Sequence, residues 1–233
     1  MKILTAIMLL AVSAASQAAL IRRSPATSGG TDYQAYWDDA LNITWLADAN
    51  YAATTNYDAD GRMTWDDAMT WVGTLNTSSH LGITGWRLPT MIDVGNDGCA
   101  DPLNTSGGDC GYNIDTANGE MVDLFYNTLG NVAFYYPDGT FPQPNFGLSN
   151  AGPFTNLIEF LYWTDSEVVT DTASAWYFGF PSGAQRPNGK TELYHAWAVA
   201  DGDPLAAPVP VPAAAWLFGS ALGLLGWARR RTG

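Results

Sequence analysis

The chain predicts an α+β fold in which two short helices pack on small twisted antiparallel sheets. Three observations carry that expectation. Strand-like aromatic runs crowd the second half, two stretches space apolar residues at helical intervals, and the connections are rich in Gly, Pro, Asn and Asp. Ten Trp, eleven Tyr and nine Phe residues also require a packed interior, which excludes a disordered chain.

Residues 20–40 read as an irregular lead-in, interrupted by Pro25, Ser28, Gly29 and Gly30. Leu41 to Ala47 alternates well enough for a strand, with Leu41, Ile43 and Trp45 on one face. After a polar loop, Thr64 to Leu75 reads as a helix. Thr64 caps it, Asp66 and Asp67 face its amide end, and Ala68, Trp71, Val72 and Leu75 form the buried stripe. Gly82 to Pro89 is a turn and a short strand, with Trp86 and Leu88 inward and Arg87 opposite them. An Arg so placed is expected to pair with a carboxylate or with backbone carbonyls.

Residues 93–119 form a long Gly-, Asp- and Asn-rich loop that needs a staple or a job. Glu120 to Leu129 is the second helix, with Met121, Leu124, Phe125 and Leu129 inward and Gly130 ending it. Three strands follow, at Phe160–Thr164, Ala175–Phe180 and Tyr194–Val199, with 182–189 as a link between the last two. Trp163, Trp176 and Trp197 on them are expected to be core. No internal repeat or clean linker divides the body.

The chain carries 10 Lys and Arg against 23 Asp and Glu, a formal net charge of −13. Such a balance excludes phosphate-backbone binding, so no nucleic acid is expected as a partner, and it favours divalent cations over anions. Residues 1–19 have the charge, apolar run and Ala-rich end of a secretory signal peptide. Residues 204–233 combine a Pro motif, an uncharged run from Ala213 to Ala228 and an Arg cluster. As a helix that run spans about 24 Å, against roughly 30 Å for a bilayer core. A transmembrane helix over 213–228 is therefore expected, lengthened by flanking residues and snorkelling arginines.

The sharpest local pattern is Asn56, Asp58, Asp60, Gly61, Thr64 and Asp67. It mirrors an EF-hand loop, with oxygen donors at positions 1, 3, 5, 9 and 12, the turn Gly at 6, and the Arg62 carbonyl at 7. Calcium wants six to eight hard oxygens, and alternate side chains around a Gly turn can converge on it. Asn at position 1 and the short Asp at 12 depart from the pattern. The alternative reading is a run of Asx turns leading into a capped helix. Cys99 and Cys110, the two cysteines, read as a disulfide in an exported chain, stabilising by about 3 kcal/mol. His80 reads as a loop residue and His195 lies in the last strand. No nucleophile-elbow or zinc-protease phrase occurs, and no catalytic residues are expected.

The run Val209, Pro210, Val211, Pro212, closed by Arg229, Arg230 and Arg231, resembles a PEP-CTERM sorting signal, with Val211 where that signal usually has Glu. The resemblance implies an exosortase-type sorting enzyme as partner and an exopolysaccharide or biofilm setting. Within the body, Leu41–Trp45, Met63–Ala68, Gly85–Thr90, Tyr162–Thr164, Ala175–Phe178 and Ala196–Val199 together resemble the Lcl C-terminal domain family over residues 41–203. That resemblance implies a C-type-lectin-like fold and, in some relatives, polysaccharide binding. Many members follow the Trp-Arg-Leu-Pro-Thr phrase with Glu-Leu. Here Met91 and Ile92 follow it, and an acidic helix resumes only at Glu120.

The resulting expectation is an exported, non-enzymatic surface or matrix domain that binds extracellular polysaccharide. It would be anchored in the inner membrane as a precursor and then carried at the cell surface or in the matrix. The competing readings are a purely structural surface protein and, more remotely, a hydrolase or oxidase-like enzyme. Binding predicts a concave patch with Trp or Tyr beside polar groups. A structural role predicts buried rings and no groove.

Overall fold

A computed structural model describes residues 19–95, 99 and 104–206. The chain forms a mixed α/β fold of two small sheets and short helices. Its first half contains β1 (Leu20–Pro25), β2 (Tyr33–Asp38), β3 (Ile43–Leu46), α1 (Tyr51–Thr54), β4 (Arg62–Met63), α2 (Trp65–Thr77) and β5 (Trp86–Arg87). Then come β6 (Gly111–Tyr112) and α3 (Glu120–Asp123), the latter continued by a π-helical turn over Leu124–Thr128. The remainder is β7 (Leu161–Val168), β8 (Asp171–Gly179), β9 (Ala184–Gly189), β10 (Tyr194–His195) and β11 (Val199–Asp201).

One sheet has the order β1-β2-β3-β11-β5 and the other β4-β10-β7-β8-β9-β6. Pairing is antiparallel except between β10 and β7, where His195 lies opposite Tyr162 in parallel. Helix α2 forms where its periodicity places it, and the Thr64 hydroxyl accepts from the Asp67 amide at its start.

Several elements differ from the sequence reading. Residues 20–40 are not an irregular lead-in but a hairpin, paired from Leu20 with Asp38 to Pro25 with Tyr33. The breakers Ser28, Gly29 and Gly30 fall in its turn, where they do no harm to either strand. Strand β3 is buried along its whole length, so its apparent alternation carries no exposed face. The link at 182–189 contains β9, whose polar residues hid it. Gln185 is buried, and its amide donates to the Asp109 carbonyl at 2.7 Å.

The single strand expected at Tyr194–Val199 is instead divided between the sheets. Residues 194–195 pair in the larger sheet and 199–201 in the smaller, while Ala196, Trp197 and Ala198 between them are wholly buried. This crossing stitches the sheets together through one ring cluster. Trp197 lies 4.6 Å from Trp45 and 4.8 Å from Phe154 between ring centroids, and its indole N–H donates to the Leu46 carbonyl at 2.7 Å.

The expectation of a membrane-spanning helix is corrected. Among the described residues no helix is long and apolar enough to cross a membrane; α2, the longest, has 13 residues and begins with two Asp in its first turn. A span needs about 20. The run 213–228, the motif from Val209 to Pro212, Arg229 to Arg231, and residues 1–18 lie outside the described residues.

Candidate functional site

The loop before α2 folds as a chain of self-satisfied turns. The Asp58 carboxylate accepts from the amides of Asp60 at 3.1 Å and Gly61 at 2.8 Å. Gly61 has a φ of +78°, and a Cβ there would lie 1.8 Å from Asn50 Oδ1, so both the turn and the close approach require glycine. Asp60 accepts from the Arg62 amide at 3.1 Å and from its guanidinium at 2.7 and 2.5 Å. Those bonds hold the Asp60 carboxyl below the usual carboxylate range. Thr64 and Asp67 are spent on each other, the hydroxyl donating to the carboxylate at 2.7 Å while accepting the Asp67 amide.

The structure thus brings Asp58, Asp60 and Arg62 together through turn bonds and an ion pair. Thr64 and Asp67 instead form a helix cap, and no side-chain bond joins Asn56 to either group. Among the described residues, no three or more His, Cys, Asp or Glu side chains are grouped to hold a metal ion. His195 packs beneath this loop, 3% exposed, with Nδ1 unpartnered; burial pushes its pKa down.

Cys99 and Cys110 are joined by a disulfide, with their Cα atoms 5.3 Å apart. The surrounding insertion leaves and rejoins the body at one point, since Met91 bridges to Gly119 and the Glu120 amide donates to the Thr90 carbonyl at 3.0 Å. Glu120 is therefore delivered to the end of the Gly85–Thr90 phrase from the far side of the insertion. Its carboxylate accepts the Arg87 guanidinium at 2.8 and 2.7 Å and the Thr90 amide at 2.7 Å. Asp201 takes a further Arg87 bond at 2.5 Å. Burial works against the Arg87 charge, but the two carboxylates more than offset it and raise its pKa. Arg87 is a structural clamp.

A cleft of about 450 Å³ opens between the β1–β2 hairpin, the β3–α1 junction and the Pro153–Thr155 loop. Tyr33, Tyr36, Tyr51 and His80 supply its aromatic lining, with Asp32, Gln34, Asp48 and Thr155 as polar neighbours. Hairpin β1–β2 places the first two tyrosines, and α1 starts at the third. The Tyr51 and His80 rings stack with centroids 4.8 Å apart. Burial and the Asp48 charge together raise the Tyr51 pKa, and burial lowers that of His80, so the imidazole is neutral at neutral pH. The Tyr36 ring is buried, at 8% exposed, but its hydroxyl reaches solvent and has no hydrogen-bond partner among the described residues.

Apart from His80, read only as a loop residue, none of these cleft residues was prominent in the sequence. The available signal was the Tyr33, Gln34, Tyr36 pattern, in a segment whose Pro and Gly content argued for irregular structure. A second cavity of about 460 Å³ lies beside the disulfide, bounded by Asp93, Val94, Val168, Val169 and Trp176. Its Trp176 indole is tied to Asp93 at 3.3 Å. Comparisons with protein families, curated proteins and solved structures find no match for this chain.

Proposed function

We propose that this chain is an exported, non-enzymatic surface or matrix domain that binds carbohydrate in the cleft lined by Tyr33, Tyr36 and Tyr51. The finer fold reading, a C-type-lectin-like relative of the Lcl C-terminal domain family, belongs to the same proposal. The observation that carries it is the gathering in one concavity of three tyrosine rings, their hydroxyls without partners among the described residues, beside polar side chains. Tyrosine offers an apolar face to the C–H face of a sugar ring and a hydroxyl to its edge. The volume falls within the range of small-ligand sites, roughly 300–1,000 Å³. A purely structural protein would bury its rings and present no such groove. Here the tryptophans Trp163, Trp176 and Trp197 are buried, but the tyrosine cleft is open to solvent. The disulfide supports export, because such bonds persist in oxidising compartments.

A glycan array followed by calorimetry on the full chain tests the reading. A saccharide signal that Tyr33→Ala reduces about tenfold or more is the expected result, Tyr33 being half-buried at the cleft. Binding indifferent to Tyr33→Ala would place the ligand elsewhere, and no signal at all would favour the structural role.

A further inference from the structure

The charge of the cleft narrows the ligand class. Asp32 and Asp48 are the charged groups in its lining, which includes no Lys or Arg among the described residues. Asp48 is held in place by the Asn50 amide at 2.9 Å, the Thr54 hydroxyl at 2.6 Å and the Asn156 amide group at 3.0 Å. Its position is therefore set before any ligand arrives. Tyrosine faces add attraction for cations through their ring quadrupoles. The Tyr33 ring already receives one, the Arg22 guanidinium, 5.4 Å from its centroid. The Tyr36 hydroxyl, without a protein partner among the described residues and open to solvent in the cleft, adds a polar group that a ligand can bond.

We propose that the cleft takes a saccharide chain bearing protonated amino groups, a glucosamine-type polymer, with an ammonium against Asp48 and sugar faces against Tyr33 and Tyr51. The inference rests on the carbohydrate reading and goes further in naming the sign of the ligand's charge. Uronic-acid and sulfated glycans are disfavoured, because two carboxylates line the cleft against the single neighbouring cation among the described residues, Arg22, which sits over the Tyr33 ring.

The test is calorimetry of the full chain at mildly acidic pH with three probes: a glucosamine tetrasaccharide, its fully N-acetylated counterpart and a uronic-acid tetrasaccharide. The free-amine probe is expected to bind at least about tenfold tighter than the acetylated one, with affinity falling as salt rises. Asp48→Asn should remove most of that preference, weakening the free-amine probe several-fold more than the acetylated one. Asp32→Asn is a second probe on an exposed residue whose carboxylate accepts only from the Thr27 hydroxyl among the described residues, so it decides the matter if Asp48→Asn fails to fold. Its expected effect is a loss of about threefold for the amine probe alone.

Equal or tighter binding of the acetylated or uronic-acid probe would overturn the charge assignment but keep the carbohydrate reading. So would an equal loss from Asp66→Asn, exposed on α2 and outside the cleft lining, because that would mark general attraction to an acidic protein. No binding of any probe would remove both.

Discussion

The tryptophans of the interior and the tyrosines of the cleft use similar rings to different ends. Trp65, Trp86, Trp163 and Trp197 each donate the indole N–H to a backbone carbonyl, at 2.8, 3.0, 3.0 and 2.7 Å. Two tyrosines away from the cleft are also committed to the backbone. The hydroxyl of Tyr162 accepts the Ile158 amide and that of Tyr126 donates to the Gly183 carbonyl. In the cleft, Tyr33, Tyr36 and Tyr51 have no hydroxyl partner among the described residues. The division is not strict, since the wholly buried Trp45 also has an unpartnered indole N–H among the described residues; what sets the cleft tyrosines apart is that their open polar atoms face a concavity.

The largest expected effect lies on the closed side of this contrast. Trp197→Ala empties the junction of both sheets and should cost about 3–5 kcal/mol of unfolding free energy in urea titrations. A loss under about 1 kcal/mol would show that the ring cluster does not hold the sheets together. Next comes the disulfide. Cys110→Ser should cost about 2–4 kcal/mol and leave saccharide affinity unaltered, since the insertion is clipped at its base away from the cleft lining. Coupled loss of affinity would join two regions that the contacts keep apart.

On the open side, Tyr51→Phe should weaken saccharide binding by about 1 kcal/mol, one hydrogen bond, with stability within about 0.5 kcal/mol of the parent. A fall in stability instead would move Tyr51 to the structural set. The subtlest test concerns Asp38, wholly buried at the end of β2. Burial chiefly, with the nearby Asp123 charge, raises its pKa against bonds from the Leu41 and Ala40 amides. A carboxyl raised in this way favours the fold while protonated. Its stabilisation is complete below the ordinary carboxylate pKa and is lost as pH climbs through the raised one. Asp38→Asn should therefore gain on the parent toward neutral pH and gain nothing in stronger acid. Thermal melts that stay parallel across that range would discount the burial argument.

For the acidic loop, calcium titration compared between the parent and Asp60→Ala should show no difference. A heat lost in the variant would restore the loop as a calcium site. Its spacing was plain in the sequence, but spacing does not say where carboxylates point. Here the Asp60 carboxylate is engaged by Arg62, two residues on, and the Asp58 carboxylate by amides of the turn. Arg87 was easier to place. An arginine between two inward residues needed a carboxylate, although only the folded chain could bring Glu120 back across 33 residues.

Residue order alone determined the capped helix α2, the aromatic interior and the acidic surface, because capping, periodicity and charge act over a few positions. The hairpin at 20–38, the strand hidden in 184–189 and the division of 194–201 between two sheets were decided only in three dimensions. Strand pairing depends on distant partners, and burial there overrides local composition. The cleft belongs with these, since its tyrosines share a surface only once three separated segments have closed around it.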